Sequence, residues 1–351
     1  MDKYQQTAVF LAGLFCLLCL QPLNTASAAP QDLFEAERVV PNQTPATRSV
    51  ALKAGLEQVL IRVAGQASVL DSGPAQALLG NPSGLVQQYR YFTVPDSEPP
   101  VLMLWMRFDG DAIRRSLQQQ GMAYWGTERP DTLVWLAVED RGNRYVVAAD
   151  DGSDVHRQIE QAARQRGVPI LFPLMDLEDQ SKARFSDIWG GFFENVLAAS
   201  DRYSPQAILI GRLNRSPSGG WSSRWHLQVA GKPSSWSDSR PQLDALAQQG
   251  IDDTADILAS TFAVRQGGGG LNTINIVVSG VDTLAAYARI NDYLSSLTSV
   301  VGFQVQEVAG SEVQYALQVN GELQNLTRTV TIGTVLEPSG SGMPGSYRLR
   351  Q

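Results

Sequence analysis

Two cysteines stand in 351 residues, and both, Cys16 and Cys19, lie close to the start of the chain. From Leu20 onward no thiol is present to form a disulfide, hold zinc or attack a substrate. Histidine is equally scarce, with two, His156 and His226. No Gly-x-Ser-x-Gly elbow and no His-Glu-x-x-His pair occurs, and the glycine run at Gly267–Gly270 lacks the Lys-Ser or Lys-Thr of a phosphate loop. Beyond residue 30 no apolar run approaches the roughly twenty residues that a membrane-spanning helix needs. Basic blocks are missing too, and the formal charge is −7. That balance argues against nucleic acid as a partner and against charge-driven adhesion to anionic membranes.

What is present begins with Met1–Pro30. An apolar run from Ala8 to Leu20 is closed by Gln21-Pro22, and Ala26-Ser27-Ala28 supplies the small residues at which a signal peptidase cuts. Residues 1–28 are therefore expected to be a signal peptide. Phe15 and Leu18 precede the cysteines where a lipoprotein needs a small residue, so lipidation is not expected. A chain of this size buries enough core to do without disulfides, and its cysteine-free remainder fits the bacterial periplasm best.

The fold class expected is α/β and α+β, multidomain, with mixed sheets covered by helices. Residues 29–127 read as a small α/β domain. Within it Leu52, Leu56, Val59, Leu60 and Val63 recur at helical steps between a Thr44 or Thr47 cap and Gly65. Residues 128–265 read as a second α/β domain. Its run Thr132–Val138 is apolar without alternation, the pattern of a strand buried on both faces. A helix from Val155 to Arg166 then leads to a strand at Val168–Phe172, a crossover that forces parallel pairing. Phe185–Ala199 reads as one helix, and about Pro241–Val264 as another. A linker at 266–272 precedes residues 273–351, a strand, helix, strand, strand order expected to form a ferredoxin-like βαββ module. Asp282 is placed to cap its helix, with Leu284, Tyr287, Ile290, Leu294 and Leu297 as the stripe.

Two clusters carry potential chemistry. Asp150, Asp151, Asp154 and His156 offer three carboxylates and an imidazole, enough to hold a divalent ion or to act as acid and base in a metal-dependent hydrolase. The competing expectation is a helix start, with aspartate capping free amides. Trp221, Trp225 and Trp236 share a strand face that suits a sugar-binding platform, but packing against a helix is the reading favoured. His226 has the opposite parity and is expected at the surface beside Arg224. No cofactor is expected.

The export signal, the stretch Arg48-Ser-Val-Ala-Leu-Lys-Ala-Gly-Leu-Glu-Gln-Val-Leu-Ile-Arg-Val-Ala-Gly65, the later Gly-Val-Asp-Thr-Leu-Ala-Ala-Tyr287 and a trailing run of β-structure resemble a bacterial secreted family catalogued as domain of unknown function 2066. The resemblance implies kinship and carries no site residues. More loosely, the element order of 128–265 is similar to the amino-terminal domain of TolB and to the curli-secretion lipoprotein class. Together these readings imply a non-catalytic periplasmic protein that binds an envelope protein or cell-wall component. Enzyme and glycan-binding alternatives rest on the two clusters.

Overall fold

Pro41 ends the first strand and Thr44 starts the first helix, because proline cannot donate to a ladder while a threonine hydroxyl accepts one of a helix's free amides. A computed structural model describes residues 32–95, 98–265, 271–320, 323–333, 335–340 and 343–350. The expected signal peptide, with both cysteines, and the Gly267–Gly270 run lie outside the described residues. Leu33–Gln351 cluster as one compact unit.

Strand β1, Glu35–Val39, is followed by α1, Pro45–Ala64, whose N-cap Thr44 accepts from the Thr47 amide and whose C-cap Gly65 takes φ +85°. Any side chain at Gly65 would be strained by that φ and would meet Ala259. A short helix α2, Gly73–Leu79, leads to β2, Val86–Thr93, and β3, Leu102–Phe108, then to α3, Gly110–Gln119, capped by Asp109. The sheet order is β1-β3-β2, all antiparallel. Leu52, Leu56, Val59, Leu60 and Val63 of α1 pack on Leu104, Met106 and Phe108 of β3. Each such fully buried aliphatic side chain contributes about 1.5–3 kcal/mol.

After the two-residue strand β4, Ala123–Tyr124, the next sheet forms around β5, Thr132–Asp140. Strand β6, Asn143–Val146, turns back on it. Helix α4, Asp154–Arg166, crosses to β7, Ile170–Leu171, which pairs with β5 in parallel. Three short helices follow: α5, Leu177–Lys182, α6, Phe185–Gly190, and α7, Phe193–Ser200. Strands β8, Ala207–Arg215, β9, Trp221–Val229, and β10, Lys232–Arg240, then complete the order β10-β9-β8-β5-β6, with β8 parallel to β5. Helix α8, Leu243–Phe262, closes the layer, and β11, Val264–Arg265, returns to pair with β4. The unbroken apolar run of β5 is explained by its two coverings. Val134, Leu136 and Val138 face α4 and α8, whereas Leu133, Trp135 and Ala137 face α6 and α7. The single helix expected at 185–199 is broken at Gly190-Gly191, where Gly191 takes φ +81° and no helix can continue.

The ends of α1 and α4 converge, and three buried arginines, Arg62, Arg129 and Arg166, fill the joint. Both helices stop at a left-handed glycine, Gly65 and Gly167, and leave carbonyls unpaired by their own turns. Arg62 donates to the carbonyls of Leu33 at 3.1 Å, Glu35 at 2.8 Å and Gln165 at 3.0 Å. Arg129 donates to those of Arg62, Trp125, Gly126, Arg166 and Gly167, and its guanidinium lies 4.0 Å from the centre of the Trp125 ring. Arg166 donates to Gly65 at 2.8 Å and meets Asp252 and Asp256 at 2.8 and 2.7 Å. Burial, with Arg62 and Arg166 nearby, pulls the Arg129 pKa down to about 9, which still leaves it cationic at neutral pH.

The C-terminal sheet is built from β12, Leu271–Ser279, helix α9, Leu284–Ser296, β13, Val300–Ala309, β14, Glu312–Asn320, helix α10, Leu323–Ile332, β15, Leu336–Pro338, and β16, Ser346–Leu349. Its order is β13-β14-β12-β16-β15, with β14 between the two strands that α9 connects and β16 parallel to β12. Three expectations are corrected. Thr283, not Asp282, caps α9 through its hydroxyl; Leu284 is 83% exposed and outside the stripe; and a helix, α10, stands in what read as trailing β-structure. Among the described residues, no helix is long and apolar enough to cross a membrane.

Candidate binding face

Asp150, Asp151, Asp154 and His156 sit before and within the first turn of α4, and the contacts of Asp151 and Asp154 are local. Asp151 accepts from the Ser153 amide at 2.8 Å, and the helix is capped by Ser153, which accepts from the His156 amide at 3.2 Å. A serine thus has the capping role expected of aspartate. The Asp154 carboxylate pairs with Arg157, and the His156 ring lies against Phe172 with centroids 4.5 Å apart. Asp150 is exposed. Among the described residues, no three His, Cys, Asp or Glu side chains gather closely enough to hold a metal ion.

The three tryptophans share one face, as their parity required, and that face is the core. Trp221 and Trp225 are buried under α8, Trp236 is packed beside them, and Trp225 stands directly across from Trp236. The indole of Trp225 is fitted between two glycines: a Cβ on Gly211 would come within 2.4 Å of it and one on Gly250 within 2.5 Å. His226 departs from expectation. It is half-buried under α7, stacked on Phe193 at 4.3 Å and bonded through Nδ1 to Ser235 at 2.9 Å, and burial lowers its pKa.

The feature that sequence reading missed is the outer face of the β1-β3-β2 sheet. Strand register arranges it in rows: Glu35, Arg107 and Gln88; Glu37, Trp105 and Arg90; Val39, Met103 and Phe92. Antiparallel sheets commonly leave one side to water, but that side is then polar. Here Val39 is 68% exposed and Met103, Trp105 and Phe92 are only part-buried. Trp105 is held in place by its Nε1, which donates to Glu35 at 3.2 Å, and it lies 5.0 Å from the Arg90 guanidinium and 5.6 Å from that of Arg107. Arg107 is itself fixed by the Glu35 carboxylate. Glu35, Gln88, Arg90, Trp105 and Arg107 line a concavity of about 710 Å³ together with Gln87 and Tyr89. A smaller one, about 460 Å³, lies among Ser181, Lys182, Arg184, Asp187 and Asn195 and has no aromatic wall.

An indole framed by two guanidiniums beside an apolar strip suits recognition, because flat aromatic and arginine surfaces give the most contact energy when water is removed. Nothing in it pairs a nucleophile with a free base, since Glu35 already accepts from Trp105 and Arg107. The sequence signal was the strand Leu102–Phe108, which carries apolar residues at both parities although, among the described residues, a helix covers only one face.

Residues 28–126 match a family described as a domain of unknown function (DUF8605). Every residue of the outer face lies within that segment. No curated protein matches the chain.

Proposed function

We propose that the protein is an exported, non-catalytic periplasmic factor that binds a cell-envelope component through the outer face of β1-β3-β2. The observation that carries this reading is Trp105, fixed by Glu35 and framed by Arg90 and Arg107, next to the exposed Val39 and the part-buried Met103 and Phe92. The leader-like start and the resemblance to a bacterial secreted family of unknown function support the compartment. The finer kinship, to domain of unknown function 2066, is part of the same proposal, as is the division at 29–127, 128–265 and 273–351.

The hydrolase alternative loses support because Asp154 is engaged by Arg157 and His156 by Phe172. The glycan platform loses it because Trp221 and Trp225 are in the core. The test is capture from envelope extract by the purified protein and by a folded Trp105→Ala Arg90→Ala variant. A component retained by the native protein and released by the variant is expected; identical retention by both removes the face from the proposal. Intact-mass measurement of the native protein should show a chain that starts after Ala28, and a mass that includes Met1 removes export.

A further inference from the structure

Five arginines on the strands of this protein are matched by carboxylates. Arg107 meets Glu35, Arg144 meets Glu139 at 2.9 Å, Arg215 meets Asp140 at 3.4 Å, Arg240 meets Asp238 at 3.1 Å and Arg348 meets Glu337 at 2.6 Å. Arg38 donates instead to the Ala54 carbonyl and Arg90 lies over Trp105, but Arg212 of β8 and Arg224 of β9 lack a carboxylate side by side. They are direct cross-strand partners, on the face of the sheet that α6 and α7 only partly cover. Like charges placed opposite one another destabilise a sheet. Among the described residues, no carboxylate lies within ion-pairing distance of either. Glu139, in the next row, is taken by Arg144, and Asp238 points to the other face and pairs with Arg240.

The surroundings are rich in donors. Ser237 is the cross-strand neighbour of Arg224, and the adjoining row is Asn214, Ser222 and Ser239. The guanidinium of Arg212 is aimed by a hydrogen bond to the Trp189 carbonyl of α6, and Arg224 is exposed. On the other flank Arg212 faces Ala137, so no acidic group intrudes there. In a chain of formal charge −7, this is a local concentration of positive charge and hydroxyl donors without a counter-charge.

We propose that Arg212, Arg224 and Ser237 form a binding site for a phosphate group. A single arginine fork satisfies a carboxylate, whereas two guanidiniums and neighbouring hydroxyls supply the larger donor count that a phosphate, with three or four acceptor oxygens, requires. The phosphate is either free in solution or the headgroup of a phosphomonoester lipid; the chemistry of recognition is shared. This site and the outer face of β1-β3-β2 have no residue in common, and neither proposal depends on the other.

The experiment is calorimetric titration of the full exported chain with inorganic phosphate at low ionic strength, beside flotation with phosphatidylcholine vesicles that contain or lack phosphatidic acid. Arg224→Gln, at an exposed position, is expected to weaken phosphate binding about tenfold or more, as loss of one charge-assisted contact implies. Ser237→Ala should weaken it less. Arg157→Gln, which removes the same charge from α4 on the opposite side of the sheet, should leave it unchanged. Flotation that needs both phosphatidic acid and Arg224 identifies a headgroup; solution binding alone that needs Arg224 identifies the free ion. No heat with phosphate together with no phosphatidic acid-dependent flotation overturns the proposal. So does equal binding by native and Arg224→Gln protein, which would mean an adventitious ion only, and so does acetate that binds as tightly as phosphate.

Discussion

Arg129 donates a 2.8 Å hydrogen bond to the main-chain carbonyl of Arg62, so a side chain from the segment between two sheets closes the end of the first helix. The same guanidinium reaches Arg166 and Gly167 at the end of α4. Replacing it by methionine leaves several buried carbonyls without donors, and the expected cost is about 3–5 kcal/mol in denaturant unfolding. Lysine should restore only part, because an ammonium cannot spread its donors over both helix ends. A methionine variant as stable as the native protein would show that the joint is held by other contacts.

Gly250→Ala is expected to destabilise by about 1–3 kcal/mol, since the new methyl must displace the buried Trp225 ring. Combined with Trp225→Phe, the loss should be less than the sum of the two single losses, because the smaller ring vacates the space. A double-mutant cycle read by thermal unfolding checks the coupling.

Asp176, Asp179, Arg202 and Tyr203 form a network that ties α5 to the turn at Asp201–Tyr203, ahead of β8. Tyr203 donates to the buried Asp179 at 2.5 Å, and Arg202 bonds Asp176 at 2.8 Å. Arg202 holds the Asp176 carboxyl down at about 2, while burial and the bond to Asp179 push Tyr203 up to about 12. The Asp176 contribution is present above its unfolded pKa of about 3.9 and is lost as pH falls toward the folded value. For Tyr203 the folded pKa is the higher one, so its contribution is complete below about pH 10 and is lost as pH rises toward its folded value. Urea midpoints measured across this alkaline window should fall more for the native protein than for Tyr203→Phe. Parallel curves would remove Tyr203 as the cause.

Trp105→Ala is expected to change unfolding free energy by no more than about 1 kcal/mol, because the ring is half in water and helps to hold no core. Loss of several kcal/mol would mean that this indole is structural and that the outer face is ordinary sheet surface.

Much of the fold was legible because it depends on local chemistry. Thr44 and Gly65 bound α1, and the six apolar residues Leu133–Val138 announced a strand with helices on both sides. The breaks were less so. Gly190-Gly191 was hidden within a stretch whose apolar spacing continues across it, and Ser153 took a cap that three aspartates seemed better suited to fill. Arg62, Arg129 and Arg166 carried no signal at all, since a charged side chain is read as solvent-facing until its acceptors, which come from distant main chain, are known. The candidate face was only faintly legible, for a related reason. Trp105 differs from a core residue in that no element among the described residues is laid over it, and the one trace of that in sequence was the mixed parity of Leu102–Phe108.

The joint between α1 and α4 is written largely in backbone atoms: its acceptors at Leu33, Glu35, Gly65, Trp125, Gln165 and Gly167 are all carbonyl oxygens. An acceptor of that sort is supplied by any amino acid whose chain path is kept. Relatives can therefore drift widely at most of these positions while the hinge stays locked, provided that three guanidiniums and the left-handed turns survive, and a search for distant kin should weigh those few positions above overall identity.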